Sequence, residues 1–239
     1  VSPTVQKLGI SSMTQDIVQK GLYVTSSDQL ELHAIDNAIL GATEELGASG
    51  GMSIDKMVRN EVVGGTVKQL CDKVNATTGE HAEVTVRSGM DTTCVLTPTE
   101  VNKAVTTLKK AHAPTINGKY VGIIHPSVAF DLRQSKEWVE AHKYAAVTEL
   151  FNGEIGELHG VRFIESTNQK IWNDNTCPVK TAAGNGKPAV YYSVYATIIM
   201  GKDAFAMIDP DGGTMEMIVK TKGEAGGPLE QFSTVGYKY

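Results

Sequence analysis

The sequence predicts a mixed α+β fold, and three observations carry that prediction. Apolar residues recur at helical spacing in several separate stretches. Short alternating or continuous apolar runs of strand length lie between them. The two kinds of stretch do not alternate in the regular order that a parallel doubly wound sheet requires. No internal repeat is visible, and 239 residues suit one large domain or two small ones.

Taken in order, residues 4–32 look extended, and "GLYVTSS" is β-rich. Asp28 and Glu31 have capping-box spacing, so a helix is expected to start there or a few residues later. Ile35, Ile39, Ala42 and Leu46 lie on one helical face. "GASGG" at 47–51 interrupts, and Met52, Ile54, Met57, Val58 and Val62 resume the spacing to about Gly64. Either one long helix carries a weakened middle or two helices are joined there, since each Gly costs about 1 kcal/mol against Ala inside a helix. "TVKQLCDKV" could extend this helix, and "HAEVTVR" alternates like a short strand.

The clearest helix start is "TPTE" at 97–100. Thr97 can cap, Pro98 suits the first helical position, and Glu100 sits where it can reach back. Val101, Ala104, Val105 and Leu108 make the buried face, and Pro114 with Asn117-Gly118 ends the helix. "KYVGIIH" is an apolar run of buried-strand length. Pro126 stops it and opens a helix holding Val128, Phe130 and Leu132. A further helix is expected over 136–150, on the spacing of Trp138, Val139, His142, Ala145, Ala146 and Leu150. Asn152-Gly153 is a turn and "HGVRFIES" a strand. "NDNTCPVKTAAGNGKP" reads as an exposed polar loop, "AVYYSVYATIIMG" as strand-rich, and "IDPDGGTMEMIVK" as a β-hairpin with a glycine turn. The chain ends in another strand pattern.

Composition narrows the function. The chain is 41% hydrophobic and 21% charged, as in globular domains. No apolar run approaches the roughly 20 residues of a membrane helix. Cys71, Cys94 and Cys177 form no C-x-x-C pair and read as reduced thiols. The net charge is −5, without a basic stripe, which argues against tight sequence-specific nucleic-acid binding.

Candidate chemical sites are few. "GASGG" and "GNGKP" do not fit the phosphate-loop pattern or its strand–loop–helix order. "DPDGG" at 209–213 lacks the further oxygen ligands of a calcium loop and reads as a turn. The six histidines form no H-x-x-x-H pair, so a metal site would have to be distributed; no cofactor or metal is expected. His125, at a strand end with Asp131 nearby, could serve a hydrolase, but no G-x-S-x-G elbow accompanies it. The structural reading is that the His125 ring bonds free backbone groups at a strand-to-helix junction. Glu154 and Glu157 could do acid/base work, but they sit in a glycine-rich turn and read as solvated acids.

Several stretches, in this order, resemble one known family: "GLYVTSSDQLEL", "NGKYVGIIHPSVAFDLR", "LFNGEIGELHGVRFIES", "VYATIIMGKDAFAMI" and "GGPLEQFSTVGYKY". They resemble the major capsid proteins of tailed bacteriophages, in the branch typified by N-four-like podoviruses and related prophages. The residues carrying the likeness are His125, Pro126, Asp131, Leu132, Gly153, Glu154, Gly156, Gly160, Gly201 and Phe205.

The resemblance implies the coat-protein fold named for phage Hong Kong ninety-seven. It implies a peripheral domain (1–96 and 206–239) with a spine helix at about 35–64, and an axial domain at 97–205. An N-terminal arm would precede Val1, and a further strand would follow Tyr239. The implied function is a structural, non-enzymatic subunit of a phage or prophage capsid. Such subunits form hexamers and pentamers around double-stranded DNA, held non-specifically, in a virion assembled in the bacterial host cytoplasm. Partners would be further copies of the chain, with scaffold, portal and decoration proteins, and no membrane. The alternatives are a small-molecule hydrolase using His125 and Asp131, and a non-viral compartment shell of the same fold.

Overall fold

The computed structural model of the chain describes residues 9, 12, 14, 16, 18–33, 38–75, 77–135, 138, 156–183, 187–207, 215–225 and 229–239. The backbone divides into two compact units, Val1–Ser53 with Asp209–Tyr239, and Ile54–Ile208.

The first unit is built on an antiparallel sheet in the order β1 (Gly21–Ser27), β13 (Phe232–Lys238), β12 (Glu216–Lys220). The two ends of the chain therefore pair, with Val24 and Val219 flanking Val235. After β1 comes a short helix, α1 (Asp28–His33). Its cap lies one residue earlier than expected. Ser27 Oγ accepts the Leu30 N–H at 3.4 Å, so Asp28 begins the helix and does not cap it. The Asp28 carboxylate pairs with Lys222 instead.

The long helix is α2, Ala38–Gly64, and it runs without a break through the glycines. Of the residues whose spacing announced it, Ile35 lies outside the described ones. Leu46 is buried against Val235 and Tyr237, with Ile39, Met215, Met217 and Tyr239 packed around them. Ser53 Oγ and Tyr239 Oη share a hydrogen bond of 2.8 Å. At Gly50 this helix packs closely on its neighbours. A Cβ there would run into Met215 and lie 3.6 Å from the Tyr237 ring. Gly51 meets nothing within 4 Å. Gly51→Ala is therefore expected to raise stability by about 1 kcal/mol, and Gly50→Ala to lose that gain to the clash. Thermal melts of the two variants separate the positions.

The helix does not continue into "TVKQLCDKV"; it stops at Gly64, and Gly65 N–H bonds back to Val62 O at 3.3 Å.

The second unit has a four-stranded sheet in the order β11 (Ile198–Met200), β4 (Tyr120–Ile124), β6 (Val161–Glu165), β5 (Glu157–Leu158). β4 and β6 are parallel and the outer pairs antiparallel. β5 turns into β6 through His159 and Gly160, at φ 51° and 79°, the left-handed pair that a two-residue hairpin needs.

Helices α3 (Pro98–Lys110) and α4 (Pro126–Gln134) complete a core of Val101, Val105, Tyr120, Ile124, Ala129, Leu132, Trp138, Leu158, Val161 and Phe163. Trp138 is the one described residue of the helix expected at 136–150. Thr97 caps α3 as expected, accepting the Glu100 N–H at 3.4 Å. The Glu100 carboxylate does not reach back to complete a capping box, because Gln69 and Lys103 hold it.

Three two-stranded ribbons remain. β2 (Lys73–Val74) pairs with β3 (His81–Ala82), β7 (Ile171–Trp172) with β10 (Val194–Tyr195), and β8 (Val179–Thr181) with β9 (Val190–Tyr191). Three expectations are corrected. Only His81–Ala82 of "HAEVTVR" is strand; Val84 turns inward and a 3₁₀ turn follows at Arg87–Gly89. The polar segment 173–188 is not one exposed loop, since it contains β8 and the buried Cys177. The partner of "EMIVK" is β13, while the expected glycine turn at 209–213 lies outside the described residues.

A short motif recurs, "DTTC" at 91–94 and "DNTC" at 174–177. Asp91 Oδ1 accepts from Thr93 N and Oγ1 at 2.9 and 2.6 Å. Asp174 Oδ1 accepts from Thr176 N and Oγ1 at 2.9 and 2.5 Å. These bonds hold both carboxyls below the usual aspartate range. The Arg87 guanidinium bonds Thr176 Oγ1 at 3.0 Å and lies over the Trp172 ring at 4.3 Å.

Candidate functional site

His125 caps α4. Its Nδ1 accepts the Ser127 N–H at 3.1 Å, and its ring stacks on Tyr195 with centroids 4.6 Å apart. No hydrogen bond or ion pair joins it to Asp131, which is exposed on α4 with its carboxyl raised by partial burial. A general base would need its lone pair aimed at substrate; here the Nδ1 lone pair is already taken by the backbone. His125→Ala removes a cap and a ring contact, and it is expected to cost about 1 kcal/mol, with His125→Asn recovering most of that. Chemical denaturation of the three proteins checks the order.

Other reactive groups are similarly engaged. Burial, reinforced by Glu100, pushes the Cys71 thiol up to about 12, so it is no thiolate nucleophile near neutrality. Glu157 pairs with Lys119, and Glu154 lies outside the described residues. Ligand atoms of Asp72, His81 and Glu100 lie within 4.8 Å of one another. Lys103 already supplies a cation there, donating to Asp72 and, at 2.9 Å, to Glu100. Gln69 Nε2 donates to the other Glu100 oxygen at 2.9 Å. This ion-pair cluster ties α3 to the chain leading into β2. "GASGG" lies inside α2, away from any strand–loop–helix junction.

Pro126, Leu132, Gly156, Gly160 and Gly201 support the backbone and the core. Pro126 takes the first helical position of α4, and Leu132 is fully buried behind it. Gly156 and Gly160 have φ of 88° and 79°, conformations that favour glycine. Gly201 is buried against the Pro114 carbonyl, which also accepts the Lys202 N–H at 2.8 Å. Phe205 is exposed, and Gly153 lies outside the described residues.

What the described residues do offer is surface. In the first unit Leu22, Tyr23, Val24, Leu30, Leu32 and Leu40 are exposed. In the second, Phe130, Ile164, Phe205 and Met207 are exposed. No described helix is long and apolar enough to cross a membrane.

A long helix on an antiparallel sheet, with a second α+β unit, is a fold that solved phage capsid structures share. The capsid protein of Ralstonia phage GP4 has the same fold, with a TM-score of 0.58 and 14% identity over 92% of this chain. The capsid of cyanophage P-SCSP1u (TM-score 0.53, 13% identity) and a chain of Mycobacterium phage Che8 (TM-score 0.52, 17% identity) match over 100% of it. The chain spans 66% of the length of the Ralstonia phage protein and 75% of each of the other two. The profile of the family described as phage capsid protein matches residues 37–223, more than three quarters of the sequence. The chain belongs to the phage capsid protein family. No curated protein matches it in sequence.

Proposed function

We propose that this protein is the structural subunit of an icosahedral phage or prophage shell, with no catalytic role. Copies associate into hexamers and pentamers that close around double-stranded DNA. The family match over 37–223 is the observation that carries this reading. Each contact between copies in a ring is heterologous, and rotation closes it. Large total burial offsets the cost of ordering each subunit.

The sheet β1-β13-β12 with the long helix would form the peripheral domain and 97–205 the axial domain, on the plan named for phage Hong Kong ninety-seven. The N-four-like branch is the affiliation we favour, on the stretches "HPSVAFDLR" and "NGEIGELHGVRF". Scaffold, portal and decoration proteins would be its partners during assembly in the host cytoplasm. A net charge of −5 suits a lumen that holds DNA without gluing it in place.

The test is direct. The chain is expressed in a bacterium, purified and imaged by negative-stain microscopy, with sedimentation velocity in parallel. Hollow particles of uniform size are expected. A protein that remains monomeric at high concentration overturns the proposal.

A further inference from the structure

A metal site in this chain has to draw its ligands from separate stretches, and the fold brings one such set together. Asp72 immediately precedes β2, His81 opens β3, and Glu100 lies in the first turn of α3. One ligand atom from each, all within 4.8 Å of one another, gives an imidazole nitrogen and two carboxylate oxygens.

The set is held in place from outside. Gln69 Nε2 donates to Glu100 Oε2 at 2.9 Å, which leaves Oε1 turned toward the cluster. Glu100 is 3% exposed, and a carboxylate is seldom buried that far unless a cation meets it. Asp72 and His81 flank one ladder, in which Lys73 pairs with Ala82 and Val74 with His81. Its turn is closed by bonds from Asn75 N to Glu80 O at 2.9 Å and from Gly79 N to Asn75 O at 2.8 Å. Outer bonds of this kind orient metal ligands.

A cation already marks the position. Lys103 Nζ donates to one oxygen of Asp72 and, at 2.9 Å, to one of Glu100. It leaves the imidazole unused. His81 Nδ1 stands 4.0 Å from Asp72 Oδ2, beyond hydrogen-bond range. An ammonium has no use for a ring lone pair, whereas a divalent ion takes all three ligands. The Lys103 and His81 side chains are each 45% exposed, so the lysine can swing into solvent and an ion can enter.

We propose that Asp72, His81 and Glu100 bind a divalent transition ion of the zinc class, which displaces the Lys103 ammonium and fastens the β2–β3 ribbon to α3. The imidazole selects this class over magnesium and calcium, which take oxygen ligands in larger number. Bonds of about 2.0–2.2 Å draw the three atoms together by about an ångström. Two carboxylates neutralise the ion, and the freed lysine keeps its charge in water. Each strand of the ribbon has two residues, too short to be stable unaided, so the added link matters there. The site stands or falls apart from the capsid reading.

The full chain is titrated with Co2+, read by its visible absorption, and the complex is then challenged with Zn2+ and with Mg2+. A saturable Co2+ complex is expected, displaced by Zn2+ and left intact by excess Mg2+. His81→Ala should weaken binding at least tenfold, and Gln69→Ala about 10–100-fold. Lys103→Met should tighten it, because the competing ammonium is gone. Lys110→Met, the same charge change two turns along α3, should leave it unchanged. His81→Ala removes a half-exposed ring, so its circular dichroism spectrum should match the parent, and lost binding there reports ligation and not unfolding. Co2+ that fails to bind the parent, or that binds His81→Ala equally well, would overturn the site. So would weaker binding by a folded Lys103→Met; if that variant does not fold, the His81→Ala comparison decides alone.

Discussion

Leu132→Ala is expected to lower the stability of the protein by about 2–5 kcal/mol. In a chain of this size that corresponds to a fall in melting temperature of roughly 4–20 °C. Leu132 is 0% exposed and sits in the core formed by α3, α4 and the four-stranded sheet. Its helix has only nine residues, and isolated helices of that length are not stable in water. α4 therefore depends on its buried face, Val128, Ala129 and Leu132, and on the His125–Pro126 start. Removing the largest of those side chains leaves a cavity that Val101, Ile124 and Phe163, held in their own elements, do not collapse to fill. Phe130 lies on the same helix but is 61% exposed. Phe130→Ala is expected to shift stability by no more than about 0.5 kcal/mol, because it sits away from the core. Calorimetry on the pair checks the contrast. Equal losses would mean that α4 does not dock as described.

That contrast also separates what a few neighbouring residues encode from what only packing decides. The spacing and the proline start place Val128, Phe130 and Leu132 in one helix, and all three lie in α4. Which of them is buried is not local information: a short helix buries one stripe, and Phe130 falls off it. Thr97 with Pro98, and His125 with Pro126, were legible because a cap acts over three residues of sequence. Glu100 was misassigned because Lys103 on its own helix and Gln69, 31 residues earlier, compete for its carboxylate. The partner of β12 is β13, which a local pattern does not encode, because pairing is decided by which apolar faces meet across the sheet. "HAEVTVR" alternates well, yet only two of its residues find a ladder. His125 is legible for the same local reason: a ring at a strand-to-helix junction finds free backbone groups, and its Nδ1 accepts the Ser127 N–H.

Gly122→Ala should destabilise the second unit strongly. Gly122 is the middle residue of β4, buried, and pairs in register with Phe163 on the parallel neighbour β6. A Cβ built there would lie 2.7 and 2.8 Å from two carbons of the Phe163 ring and 2.9 Å from Val161 Cγ1. Neither neighbour can retreat easily. Phe163 is 3% exposed and Val161 0%, and both are core members. Overpacking of this kind costs about 1–3 kcal/mol. The ring covers the strand only because residue 122 has no side chain, so the two positions should be coupled. Phe163→Leu removes the ring atoms that the new methyl would meet. Gly122→Ala is then expected to cost less in the Phe163→Leu background than alone, with an interaction energy of about 0.5–3 kcal/mol in a double-mutant cycle. Strict additivity would show that the methyl is opposed by something other than the ring. With Val161 as the next nearest group, Val161→Ala in place of Phe163→Leu would then have to supply the relief.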